Sequence, residues 1–132
     1  MLLSFPSVPG SQPRRPRVLI ADADRRVRQS LSELLRVEGH LDVVGAAGSV
    51  REALELIERS APNVLIVDPR LPDLDAGLAL LRAVQGAWPS LRIVTMGWSD
   101  PREEPAMLGV SAYLPKDADP EELVRAACTA CA

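Results

Sequence analysis

Asn63-Val64-Leu65-Ile66-Val67-Asp68-Pro69 is the stretch that decides the fold: four apolar residues, mostly β-branched, run unbroken into a carboxylate followed by a proline. A run that short, without polar alternation, fits a central parallel strand covered on both faces. Asp68 then stands where the strand ends, because Pro69 cannot donate to a continuing ladder. In open α/β sheets ligands bind outside the carboxyl ends of the strands, so the acid is presented where chemistry is usually done. A cap on a turn or on the next helix is an equally good reading of Asp68 from this stretch alone.

Working outward, the same pattern recurs. Val18-Leu19-Ile20-Ala21 is a second short apolar run, and it too ends in acids, Asp22-Ala23-Asp24. Val27, Leu31, Leu34 and Leu35 follow at helical spacing with Arg25, Arg26, Arg28, Gln29 and Glu33 between them, and Gly39 closes that helix. Val43-Val44 with Gly45-Ala46 makes a weaker strand, and Ser49 with Glu52 forms a capping box for a helix running to about Ser60. Residues from Leu71 to Gly77 read as a loop before a helix through Leu78, Leu81 and Val84. A fourth strand spans Leu91 to Met96. The helix expected after Pro101 is short or distorted, since Pro105 falls in its interior. Ala112-Tyr113-Leu114 is the fifth strand, ending in Pro115-Lys116-Asp117. A last helix opens near Asp119-Pro120-Glu121-Glu122, with acids and a proline in its first turn.

Strands alternating with helices at this spacing imply right-handed crossovers and a doubly wound α/β fold with a five-stranded parallel sheet. A chain of 132 residues is the size of one domain, here expected over 17–132 after a flexible, proline-rich leader at 1–16. Its net charge of −3 gives no case for binding nucleic acid, and no apolar segment reaches the length of a secretory signal or membrane span. Cytoplasmic residence is the expectation. Cys128 and Cys131, three apart at the end of the chain, read as small residues on a terminal helical turn.

If the first and third strands are neighbours, their ends lie about 4.8 Å apart. Asp22, with Asp24, and Asp68 then converge. Carboxylates without histidine or thiolate suit a hard cation such as Mg²⁺. Lys116 can bring a positive charge to the same edge, and Thr95 a hydroxyl for a phosphoryl oxygen. A carboxylate nucleophile, a cation, a lysine and a hydroxyl make up a phosphoryl-transfer set.

From Arg17 to about Ala127 the chain resembles the receiver domain of bacterial two-component response regulators, most of all those that precede a helix-turn-helix DNA-binding domain. The residues that carry the resemblance are Asp22 after the first strand, Val64-Leu65-Ile66-Val67-Asp68 with Arg70-Leu71-Pro72 after it, and Gly109 followed by Tyr113-Leu114-Pro115-Lys116-Asp117. It implies a flavodoxin-like strand order 2-1-3-4-5 and phosphoryl transfer to Asp68 from a sensor histidine kinase. It further implies that Lys116 stabilises the phosphorylated state and that Tyr113, with the hydroxyl of Thr95, forms the switch. Mg²⁺ would be held by Asp22, Asp24, Asp68 and the backbone carbonyl of Arg70. Such a domain is no enzyme beyond its own phosphorylation and dephosphorylation.

Two departures bear on this. Members of the family usually carry adjacent acids after the first strand, whereas Ala23 stands in the second place and Asp24 comes one residue late. The segment between the fourth strand and Gly109 is shortened, so either Thr95 or Gly97 aligns with the switch hydroxyl. The alternative function is therefore an atypical receiver with a weakened Mg²⁺ site, acting as an interaction or homodimerisation module without phosphate. A small enzyme on a similar sheet is a third reading. It finds no glycine-rich phosphate loop and no Ser/His or Cys/His pair, His40 being the only histidine.

Overall fold

The computed structural model describes residues 15–38, 40–97 and 109–131. Strands β1 (Arg17–Ala21), β2 (Asp42–Ala47) and β3 (Val64–Val67) are separated by helices α1 (Arg25–Glu38) and α2 (Val50–Ser60). Helix α3 (Leu74–Ala87), strand β4 (Arg92–Gly97), strand β5 (Ala112–Pro115) and helix α4 (Pro120–Cys131) complete the order. The five strands are parallel and lie in the order β2-β1-β3-β4-β5, the expected flavodoxin-like arrangement. Gly39 as a helix terminator, residues 1–14 of the leader and the helix expected after Pro101 lie outside the described residues.

Alternation along the inner strands builds a core on each face of the sheet. Val18 and Ile20 of β1, Val64 and Ile66 of β3, and Val94 and Met96 of β4 pack with Leu35 of α1 and Leu123 and Ala127 of α4. Leu19, Ala21, Leu65, Val67 and Ile93 point the other way, against Ala53 and Ile57 of α2 and Leu78, Leu81 and Val84 of α3. This is why β3 reads as an unbroken apolar run: it is covered on both sides, and all four of its residues are buried. Each such large aliphatic side chain contributes about 1.5–3 kcal/mol by leaving water.

Local chemistry sets the helix starts. Ser49 Oγ accepts from the Glu52 amide at 3.2 Å, the first half of the expected capping box, while Glu52 Oε1 reaches one residue further back and accepts from the Gly48 amide at 2.6 Å rather than from that of Ser49. Helix α3 begins earlier than the sequence suggested, at Leu74, because Asp73 is its N-cap and accepts from the Ala76 amide at 2.9 Å. Gly77 is thus a helical residue. A β-carbon on it would lie 1.4 Å from the carbonyl oxygen of Pro69, so glycine is required for α3 to rest against the loop that leaves β3.

Candidate functional site: strand ends gathered on one lysine

The register fixes which residues can meet. Ala21 pairs with Ala47 on one side and Val67 on the other, Val67 with Thr95, and Thr95 with Tyr113. The ladder then extends one step past the strands: the Asp22 amide donates to Ala47 O at 3.0 Å, the Asp68 amide to Ala21 O at 3.0 Å, and the Lys116 amide to Gly97 O at 3.1 Å. Asp22, Asp68 and Lys116 therefore leave the sheet at the same carboxyl edge.

Their side chains converge. Lys116 Nζ lies 2.7 Å from Asp22 Oδ2 and 2.6 Å from Asp68 Oδ2, with the three side chains 7%, 5% and 10% exposed respectively. These are short, charge-assisted contacts in a site that water barely reaches. Burial by itself would lower the Lys116 pKa, but hydrogen bonds to Asp22 and Asp68, together with the charges of both, raise it above its ordinary 10.5. The remaining carboxylate oxygens face backbone donors: Asp22 Oδ1 accepts from the Asp24 amide at 2.8 Å, and Asp68 Oδ1 from the Arg70 amide at 2.9 Å. Both acids are thus held from two directions.

Other residues of the expected set are placed differently. Asp24 is exposed and works for α1: its Oδ1 accepts from the Arg26 amide at 2.8 Å and its carbonyl from the Arg28 amide at 3.1 Å. Its carboxylate is thus at the helix start and takes no part in the Lys116 contacts. Thr95 does not reach the rim. It is paired with Val67, one residue short of Asp68, it is fully buried, and its hydroxyl faces Ala112 O at 3.5 Å. Gly97, two residues further along the same strand, occupies the rim position and supplies no hydroxyl. Its carbonyl accepts from the Lys116 amide and, at 3.4 Å, from the Tyr113 hydroxyl. Tyr113 is thereby joined to the same corner. The shortened segment after β4 left Thr95 and Gly97 as alternatives in the sequence; pairing puts Thr95 inside the sheet and Gly97 at its edge.

One residue had no such signal. Arg28, a half-buried member of the arginine-rich α1, reaches back to the carbonyl of Asp22, Nη1 to O 2.7 Å. Only the strand-end turn it spans, not its own sequence context, distinguishes it from Arg25 and Arg26.

Among the described residues no group of three or more His, Cys, Asp or Glu side chains is arranged to hold a metal ion. The donor set nevertheless suits Mg²⁺. Asp22 Oδ2 and Asp68 Oδ2 already meet on a single positive centre, the Lys116 ammonium, and two carboxylates against one ammonium leave a formal negative charge. Mg²⁺ typically takes one or two carboxylates and fills its octahedron with water and phosphate oxygens.

Residues 18–127 match the family described as the response regulator receiver domain. The chain belongs to this family. Among curated relatives, the DNA-binding transcriptional activator DevR/DosR of Mycobacterium tuberculosis is 41% identical over 113 residues, 83% of this chain and 52% of that protein. The probable transcriptional regulatory protein NarL of the same species is 31% identical over 121 residues, 87% of this chain and 54% of that one. This receiver domain thus spans about half the length of these relatives. Among solved structures, the signal receiver domain of the response regulator NarL from M. tuberculosis superposes with a TM-score of 0.78 at 29% identity, covering 90% of this chain and 98% of that one. The receiver domain of AraT, a response regulator from Geobacillus stearothermophilus, gives 0.76 at 30% identity, over 89% and 94% of the two chains. No described helix of this receiver domain is long and apolar enough to cross a membrane.

Proposed function

We propose that this receiver domain accepts a phosphoryl group on Asp68 from the phosphohistidine of a sensor kinase. The observation that carries the reading is the placement of Lys116 Nζ on Oδ2 of both Asp22 and Asp68. In the transfer, an Asp68 carboxylate oxygen attacks phosphorus, the P–N bond to the donor histidine breaks with its electrons returning to the imidazole, and an acyl phosphate forms. The chain's part is positioning and electrostatics. The Arg70 amide holds Asp68 Oδ1, which leaves Oδ2 as the attacking oxygen. Lys116 then passes from the carboxylate to an oxygen of the new phosphoryl group. Asp22, Asp68 and the carbonyl of Arg70 would hold Mg²⁺, which when bound screens the repulsion between the carboxylate and the incoming anion.

The new charge and acceptor oxygens change the balance at the corner where Lys116, Gly97 and Tyr113 meet. Tyr113 is the side chain placed to report the change, through its contact with the Gly97 carbonyl. With no hydroxyl at Gly97, the response runs through Lys116 and the backbone of β4. Because relatives about twice as long are transcriptional regulators, we place this domain in control of a DNA-binding output domain through a protein interface. In intact-mass measurements after incubation with acetyl phosphate and Mg²⁺, the wild type should gain one phosphoryl group and Asp68→Asn none. An unmodified wild type, or a modified Asp68→Asn, would refute the assignment.

A further inference from the structure

We infer that Arg28 is a positioning residue for Asp22, with Gly48 as the surface that seats its guanidinium. The inference rests on Asp22 belonging to the cation site and does not require that Asp68 be modified.

Asp22 is held at several atoms. Its amide is fixed by Ala47 O, its Oδ1 by the Asp24 amide, and its Oδ2 by Lys116. Its carbonyl, the one remaining polar atom, is held by Arg28 Nη1 at 2.7 Å. This is the only one of these contacts made by a side chain outside the strand ends, and it comes from the helix that the Asp22-Ala23-Asp24 turn leads into. A guanidinium on a carbonyl is a charge-assisted bond, stronger than a neutral one. With the peptide planes on both sides of its Cα pinned, Asp22 keeps its φ and ψ, so its carboxylate stays aimed at Asp68 and Lys116.

Gly48 makes the contact possible. A β-carbon there would lie 2.7 Å from Arg28 Nη1, 3.0 Å from Cζ and 3.3 Å from Nη2. Its φ is not in the left-handed range, so a β-carbon would act through space alone, displacing the mobile guanidinium and no backbone. The guanidinium lies against bare backbone between the carboxyl ends of β1 and β2. The contact matters more in this chain than it would beside a second acid. Ala23 has no oxygen to offer, and the Asp24 carboxylate is committed to α1, so Asp22 is the sole first-strand carboxylate that reaches Lys116.

Three variants test this: Arg28→Ala, Arg28→Lys, and Gly48→Ala, which pushes the guanidinium away while leaving every α1 residue in place. The readouts are the Mg²⁺ concentration that half-saturates the amide shifts of Asp22, Asp68 and Arg70 in the unphosphorylated protein, and hydrogen exchange at the Asp24 amide. Arg28→Ala and Gly48→Ala are expected to raise the half-saturating concentration on the order of tenfold, the usual effect of losing a residue that orients a metal ligand. Both should speed exchange at Asp24, and Arg28→Lys, which keeps the charge and one donor, should fall between them and the wild type. A role in stability alone would lower the melting temperature without moving the half-saturation point. Unchanged Mg²⁺ affinity in folded Gly48→Ala and Arg28→Ala, or a wild type whose amides Mg²⁺ does not shift, overturns the inference. Weakened Mg²⁺ binding in the variants, alongside a wild type that takes no phosphoryl group, supports the positioning role and defeats the phosphoacceptor reading instead.

Discussion

Lys116 meets two buried carboxylates at 2.7 and 2.6 Å, so removing its charge leaves Asp22 and Asp68 facing each other with nothing between them. Uncompensated buried charge is among the costlier defects, and Lys116→Met should lose about 3–5 kcal/mol in urea unfolding at neutral pH. The pH dependence has a definite sign. Folding raises the Lys116 pKa above 10.5, so the stabilisation is complete below that value and disappears as pH climbs through the higher folded-state value. The stability difference between wild type and Lys116→Met should therefore stay level from neutral pH up to about 10 and shrink above it. A difference that shrinks already between pH 7 and 9 would place the coupling elsewhere. Ala23 is the other residue with a clear expectation. It is exposed beside Asp22, so Ala23→Asp adds a carboxylate at the rim and should tighten Mg²⁺ binding measured by titration calorimetry.

Elements position these residues, and α3 bears most directly on Asp68. Gly77 leaves no room for a β-carbon, which would meet Pro69 O at 1.4 Å. Gly77→Ala must push α3 off the loop that carries Arg70, so a loss of roughly 3 kcal/mol or more is expected in thermal or chemical denaturation. Asp73→Ala removes the cap bond to the Ala76 amide and should cost about 1 kcal/mol with the fold intact.

How far the sequence could be read follows from the same elements. The run Val64–Val67 was legible because a strand buried on both faces has nowhere to put a polar side chain. Ser49 and Glu52 announced α2 in the same way, through a pattern with only one good use. Gly77 was not legible as a helical residue, because a glycine required by a neighbouring carbonyl looks the same in sequence as one required by a turn. Asp24 and Thr95 misled for a related reason. Each has the right chemistry close to the right place, but a capping carboxylate and a hydroxyl one residue inside the sheet differ from site residues only by pairing and direction. Arg28 acts through a contact six residues back in the chain, and periodicity placed it only among the polar residues between the apolar positions of α1.

On the scale of the whole molecule, a sheet with cores on both faces leaves its carboxyl edge as the place where polar groups from separate strands come together. Order β2-β1-β3-β4-β5 puts β1 and β3 side by side and β5 two strands from β3, near enough for the long lysine side chain to bridge back. The scaffold makes the site: truncating Leu65, fully buried in mid-strand in the core against α2 and α3, should cost about 2–5 kcal/mol in denaturation. The measurement that bears most directly on the central claim is chemical mapping of the modified residue. After incubation with a phosphodonor and Mg²⁺, borohydride reduces an aspartyl phosphate to homoserine, which tandem mass spectrometry locates in the sequence. Homoserine at position 68, absent when donor is omitted and strongly reduced in Lys116→Met, is the expected result. Homoserine at position 22 or 24, or at no position in a folded wild type, would contradict it.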